Sequence, residues 1–178
     1  GAVNSVSRGL IRVEADELTY PMHVILRYRL EAKLLRGELQ VSDLPSEWRR
    51  GMEELLGVAG DSYGDSEGCL QDVHWSGLAV GYFPTYLLGA MMAAQLDHYL
   101  RKDDAFAAAQ DGRSVDELIA AGDFAPFKEW LKEKVHDHGK LYGSMDELLT
   151  HSFGEPLNPE YFISYLTDKY TALYQLEK

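Results

Sequence analysis

The segment Gly68-Cys69-Leu70-Gln71-Asp72-Val73-His74-Trp75 places an amide, a carboxylate, an imidazole and an indole within five residues. It follows a stretch rich in Gly, Ser and Asp at 57–68, and a second glycine-containing turn comes after it. Loops beside rigid helices commonly carry binding and catalytic side chains. Two interpretations stay open from these residues alone. Either Gln71, Asp72 and His74 bind a ligand or transfer protons, or they satisfy the loop's own backbone and cap the following helix.

Helical patterns lie on both sides of this loop. Ahead of it, from Asp16 to a stop at Gly37, apolar residues recur at helical spacing: Leu18, Met22, Ile25, Leu26, Leu30 and Leu34. Beyond it, an apolar helix is expected from Pro84 to about Gln110, and Ser-x-x-Glu capping patterns follow at 114–117 and 144–147. No segment alternates with the period of a strand. The sequence predicts an all-α fold of about six helices with one long motif-bearing loop, as a single helical domain over residues 1–178.

Composition excludes several classes of partner. The 178 residues carry a formal net charge of -12, which argues against binding a nucleic-acid backbone because no basic stripe is present. The apolar runs are interrupted too often to predict a membrane span. Cys69 is the single cysteine, so no internal disulfide can form, and a reducing, cytoplasmic location is expected.

A second polar segment precedes the first predicted helix. Ile11-Arg12-Val13-Glu14-Ala15-Asp16-Glu17 places one arginine ahead of three acids. An arginine in this position can bind a ligand carboxylate through two parallel hydrogen bonds. Alternatively, Arg12 pairs internally with Glu14, with Asp16 or with an acid elsewhere.

The remaining histidines do not form a recognisable catalytic pattern. His136-Asp137-His138 has the donors of a metal pair, but histidine at a helix end before Gly139 is also what the helix dipole favours. The sequence contains no Ser-His-Asp nucleophile elbow, no phosphate-binding glycine loop and no His-Glu-x-x-His. We therefore assign no catalytic residue and no metal ligand within these 178 residues.

Taken together, the two polar segments resemble a known family. Residues 11–20 resemble the I/V-R-x-x-A-D signature of the Taq-type zinc carboxypeptidases, and residues 68–75 match the G-x-x-Q-D-x-H-W signature of that family at every fixed position. The order and separation of the segments also fit, as do residues 81–86 and the tail Asn158-Pro159-Glu160. The resemblance covers nearly the whole chain. Members of the family are longer, mostly helical metallopeptidases, and the resemblance places their zinc-binding His-Glu-x-x-His ahead of Ile11.

The resemblance implies a role for each motif residue. Arg12 is the candidate for binding the free C-terminal carboxylate of a peptide. His74, ordered by Gln71 and Asp72, would face the scissile bond, and Tyr82 would lie in the groove. Two further motif residues, Asp16 and Trp75, are expected to hold the motif loops in shape.

The chain is thus expected to be the C-terminal substrate-groove portion of a zinc carboxypeptidase, with the peptide as substrate and an N-terminal catalytic part as partner. Zinc is expected in the full-length enzyme and not in this chain, which by itself is predicted to be inactive. The alternative is a naturally truncated, non-enzymatic helical module that binds peptides or pairs with a second copy of itself as a homodimer.

Overall fold

The computed structural model describes residues 4–176, and these contain eight α-helices and no β-strand. The all-α prediction is confirmed, with eight helices where the sequence indicated about six. No helix among the described residues is long and apolar enough to cross a membrane. The helices are α1 (Tyr20–Leu35), α2 (Leu44–Leu56), α3 (Phe83–Arg101), α4 (Asp104–Ala108), α5 (Val115–Ala121), α6 (Ala125–Lys134), α7 (Met145–Phe153) and α8 (Glu160–Tyr174).

The chain divides into two compact units, Gly1–Leu88 and Gly89–Lys178. The N-terminal unit contains α1, α2, the long loop between α2 and α3, and the first residues of α3. The C-terminal unit contains the rest of α3 and α4 to α8. The expectation of one helical domain over residues 1–178 stays a prediction.

Helix α1 begins at Tyr20, four residues later than the apolar pattern indicated. Asp16 accounts for the delay, because its Oδ1 accepts hydrogen bonds from the backbone N–H groups of Leu18 (3.0 Å) and Thr19 (2.9 Å). Its Oδ2 accepts from the Ser7 N–H at 2.9 Å and from the Thr19 hydroxyl at 3.0 Å. These local bonds hold residues 16–19 in a turn and offer the backbone an alternative to helix.

Helices α1 and α2 pack closely in the N-terminal unit. The absence of a side chain at Gly51 permits this approach, since a Cβ there would lie 2.2 Å from Cδ1 of Leu26. Helix α2 ends at Leu56, and the next residue, Gly57, caps it with a left-handed backbone at φ 65°. The buried apolar side chains of this core are Leu26, Leu30, Leu39, Leu44, Trp48, Met52, Leu56 and Cys69.

The predicted helix from Pro84 to about Gln110 is interrupted in the structure. Helix α3 ends at Arg101, and Asp103 then caps α4 by accepting a hydrogen bond from the Phe106 N–H at 2.9 Å. The predicted capping box at Ser114 and Glu117 is present at the start of α5. The C-terminal unit has its own core of Leu100, Phe106, Val115, Leu118 and Trp130.

Candidate functional site

The two polar segments lie against each other in the N-terminal unit, and the side chain of Gln71 forms hydrogen bonds to both. Its Oε1 accepts a hydrogen bond from the Arg12 backbone N–H at 2.9 Å. Its Nε2 donates to the carbonyl oxygens of Leu10 (3.1 Å), Glu67 (2.7 Å) and Gly68 (3.2 Å). The side-chain amide of Gln71 therefore fixes the backbone from Leu10 to Arg12 and the turn that precedes Asp72.

Asp72 is shared by two arginines. The Nε and Nη2 atoms of Arg12 donate to Oδ1 at 3.0 and 2.7 Å. Arg27, which comes from the second turn of α1, approaches the other oxygen, with Nε and Nη2 each 2.6 Å from Oδ2. The side chain of Arg27 has no exposed surface, and those of Arg12 and Asp72 are 7% and 10% exposed. Among the pairings that the sequence left open for Arg12, the structure shows the one with an acid elsewhere in the chain, Asp72.

The ionised states of this cluster support one another. Burial would raise the pKa of Asp72, but the hydrogen bonds from Arg12 and the charge of Arg27 bring that pKa below its ordinary value. Burial also opposes the charge on Arg12, yet the hydrogen bonds to Asp72 raise the pKa of Arg12. Burial dominates at Arg27 and lowers its pKa to about 10, which still leaves the guanidinium charged at neutral pH. Two positive charges and one negative charge remain, so the cluster carries a net charge of about +1.

His23 lies one helical turn before Arg27 on α1 and is completely buried. Neither ring nitrogen has a hydrogen-bond partner among the residues that the structure describes. Burial, reinforced by the charges of Arg27 and Arg12, lowers the pKa of His23 to about 4. His23 is therefore neutral at physiological pH and adds no charge to the cluster.

His74 lies in an aromatic pocket at the other side of Asp72. Its ring packs against Phe83 with centroids 4.3 Å apart, and its Nε2 shares a hydrogen bond with the Tyr86 hydroxyl at 2.8 Å. Its Nδ1 lies 4.0 Å from Oδ1 of Asp72 and has no hydrogen-bond partner within residues 4–176. The ring of Tyr82 lies 5.7 Å from that of His74 and is half exposed. Nε2 of His74 is therefore held by Tyr86, whereas Nδ1 is buried on the side that faces Asp72.

Aromatic rings also surround Arg12. Its Nη1 donates to the Tyr20 hydroxyl at 3.1 Å, and its guanidinium carbon lies 5.1 Å from the centre of the Tyr86 ring. Phe83 contributes a third ring at 5.8 Å. Cation–π contacts of this kind stabilise a guanidinium that has lost much of its water.

A carboxylate on α1 holds the side chain of Trp75 in place. Its Nε1 donates to Oε2 of Glu31 at 2.7 Å, and its ring packs edge-on against Trp48 and Phe83. The side chain of Asp16, the other residue assigned to loop shape, accepts the four hydrogen bonds described above. Within residues 4–176, Arg12 keeps unused N–H donors and Nδ1 of His74 has no hydrogen-bond partner, whereas the polar side-chain atoms of Trp75 and Asp16 are all hydrogen-bonded.

The apolar pattern of α1 gave no indication that this helix contributes to the site. Arg27 and Glu31 lie outside that pattern, but both are buried and contact the motif loop. A signal was present, because His23, Arg27 and Glu31 recur at intervals of four residues and so share one face of a helix. Three titratable residues at that spacing beside an apolar stripe indicate a buried polar face.

The described residues do not provide the zinc site that the resemblance implies. Within residues 4–176, no three His, Cys, Asp or Glu side chains lie close enough to hold a metal ion. His136, Asp137 and His138 form a short 3-10 turn after α6, and the ring of His138 packs against that of His151 with centroids 5.2 Å apart. The N-terminal unit does bring together a cluster of net positive charge beside a histidine.

Comparisons with known proteins agree with the motifs. Residues 1–170 match the family model described as carboxypeptidase Taq (M32) metallopeptidase. Carboxypeptidase 1 of Bacillus subtilis is 45% identical over 98% of this chain and 33% of its own length, and thermostable carboxypeptidase 1 of Pyrococcus furiosus is 40% identical over 94% and 31%. The structure of Trypanosoma cruzi metallocarboxypeptidase 1 superposes with a TM-score of 0.85 at 43% identity, covering 95% of this chain and 33% of that one. The chain spans about a third of the length of the relatives it matches, and it belongs to the carboxypeptidase Taq (M32) metallopeptidase family.

Proposed function

We propose that this chain is the C-terminal substrate-groove portion of a zinc-dependent carboxypeptidase that removes C-terminal amino acids from peptides. The observation that carries the proposal is the sharing of one buried carboxylate, Asp72, by Arg12 and Arg27. A buried cluster with a net positive charge favours a further anion nearby. The terminal carboxylate of a peptide is such an anion, and every substrate of a carboxypeptidase carries one.

Arg12 has the hydrogen-bonding capacity to bind that carboxylate. A guanidinium has five N–H donors. Within the described part of the chain, the acceptors of Arg12 are Asp72 and the Tyr20 hydroxyl, which take three of those donors. One N–H remains on each terminal nitrogen, and a carboxylate can accept both in a two-pronged pair.

The other motif residues have supporting roles in this proposal. Gln71 and Asp72 hold Arg12 by its backbone and its side chain. The partly exposed ring of His74 faces the peptide group near the scissile bond, while Tyr82 lines the groove. Zinc and the residues that bind it are assigned to the part of the longer enzyme outside this segment, so we expect the 178-residue chain alone to be inactive.

Activity assays on the longer enzyme test the proposal. Peptides with a free C-terminus should be substrates and C-terminally amidated ones should not, because the amide lacks the charge that Arg12 binds. Replacing Arg12→Gln should lower kcat/KM for the free acids by roughly a hundredfold, which corresponds to the loss of a charge-assisted pair of hydrogen bonds. Arg49→Gln is the matched control, since Arg49 pairs with Asp65 at the surface and should leave kcat/KM within about twofold.

Two results would contradict this function. One is hydrolysis of C-terminally amidated peptides by the parent enzyme as fast as that of the free acids, which would place Arg12 outside carboxylate recognition. The other is chelator-sensitive release of C-terminal residues by the purified 178-residue chain. The intact mass of the natural protein and the length of its open reading frame show whether a longer enzyme exists.

A further inference from the structure

Glu31 is a buried carboxylate that the proposed chemistry does not use. It lies on α1 one helical turn after Arg27, and only 5% of its surface is exposed. A carboxylate in this setting must be hydrogen-bonded, because an unpaired buried charge is strongly destabilising. Both of its oxygens accept hydrogen bonds from the loop that follows His74.

These two hydrogen bonds fix both ends of one loop segment. Oε2 accepts from the Trp75 indole N–H at 2.7 Å, and Oε1 accepts from the Gly81 backbone N–H at 2.7 Å. Between them the chain is folded on itself, since the Leu78 N–H donates to the Trp75 carbonyl and the Ala79 N–H donates to the His74 carbonyl. The side chain of Glu31 therefore holds both ends of residues 75–81 to α1.

The backbone on each side of His74 is held by a residue of α1. Arg27 holds Asp72, two residues before His74, and Glu31 holds Trp75, the residue after it. Arg27 and Glu31 are four residues apart, so they project from one face of α1 at a fixed spacing. The ring of His74 can keep its contacts with Phe83 and Tyr86 only if the backbone on both sides of it stays in place.

We propose that Glu31 is a positioning residue, which orients the His74 imidazole by holding Trp75 and Gly81. The catalytic consequence rests on the proposed carboxypeptidase function, whereas the orientation of the ring does not. Glu31→Gln is the informative substitution because it keeps the size of the side chain. It replaces one acceptor oxygen by an N–H₂ group, which would face an N–H donor and break one of the two bonds.

The first experiment observes the ring directly in the 178-residue chain. The His74 ring protons, packed on the Phe83 face, should show a ring-current shift in the NMR spectrum that Glu31→Gln diminishes. The Trp75 indole and Gly81 amide protons should exchange with solvent about tenfold faster, which corresponds to the loss of about one hydrogen bond. Glu54→Gln is the matched control, because Glu54 is exposed and pairs with Arg29 at the surface. Unchanged His74 shifts in Glu31→Gln would overturn the proposal.

The second experiment is a double-mutant cycle in the longer enzyme. We expect Glu31→Gln to lower kcat/KM by about tenfold or more in the parent, and to have less than a twofold effect when His74 is already alanine. A merely structural role would lower activity by the same factor in both backgrounds, and that result would overturn the proposal. If the longer parent enzyme is inactive on peptides while the NMR shifts change as expected, the proposed function fails and the positioning role stands.

Discussion

The two units of the chain treat charged side chains in opposite ways. The N-terminal unit buries Arg12, Arg27 and Glu31 beneath the motif loop. Among the described residues of the C-terminal unit, the buried polar side chain is Gln95, which bonds the backbone of Pro156 and Asn158. Ion pairs of that unit, such as Arg101 with Asp116, lie at the surface.

This difference separates an interior with charged side chains from an apolar one. Removing a charge from water is costly, and a fold that needs only stability does better with apolar packing. The C-terminal unit follows that rule with a core of Leu118, Leu149 and aromatic rings. The N-terminal unit departs from that rule at the place where the two family motifs meet.

The largest effect that we expect comes from removing the shared carboxylate. Asp72→Asn leaves two guanidinium groups in the same buried site without a counter-charge. The free energy of unfolding of the chain should fall by about 3–5 kcal/mol, as measured by urea denaturation. Asp65→Asn is the surface counterpart, and it should cost less than about 1 kcal/mol. If Asp72→Asn lowered the free energy of unfolding no more than Asp65→Asn does, the N-terminal unit would not depend on its buried charges.

A smaller effect should appear as a dependence of stability on pH. The pKa of His23 is lowered from 6.5 to about 4 in the folded chain. As the pH falls below 6.5, the unfolded chain takes up a proton that folded His23 does not accept until about pH 4. His23 therefore does not lower the free energy of unfolding above pH 6.5. Between pH 6.5 and 4 it lowers the free energy of unfolding progressively, and the change between about pH 7 and about pH 5 is about 2 kcal/mol.

Urea denaturation at a series of pH values measures this dependence. His23→Phe should remove the uptake of about one proton on unfolding between pH 6.5 and 4. His136→Gln, which removes an exposed histidine from the C-terminal unit, should leave the dependence unchanged. Identical pH profiles for the parent and His23→Phe would show that folding does not lower the pKa of His23.

The smallest effect is expected in the C-terminal unit. Arg101 donates to Asp97 at 2.8 Å and to Asp116 at 3.0 Å, and the side chain of Asp116 is 77% exposed. Asp116→Asn should change the free energy of unfolding by less than about 0.5 kcal/mol, and added salt should abolish the difference because water and ions screen the pair. A cost above about 1 kcal/mol would mean that this unit also depends on its charges.

Local features could be predicted from the sequence more reliably than buried polar contacts. The capping box at Ser114 was predicted correctly because each partner lies within one helical turn of the other. The end of α3 was missed, because Asp103 acts as a cap through a short-range bond that the apolar pattern does not reveal. The roles assigned to Arg12, His74 and Tyr82 stay predictions, although the structure brings all three into one region of the N-terminal unit.

The sequence by itself determined the helical class, the acidic character and the two signatures that identify the family. All of these depend on composition or on residues close together along the chain. The tertiary structure alone decided that Asp72 joins Arg12 to Arg27, and that Glu31 holds Trp75 and Gly81. Those pairs lie 44 to 60 residues apart. Helical periodicity shows which residues share a face but not which loop will cover it, because that depends on how the helix packs.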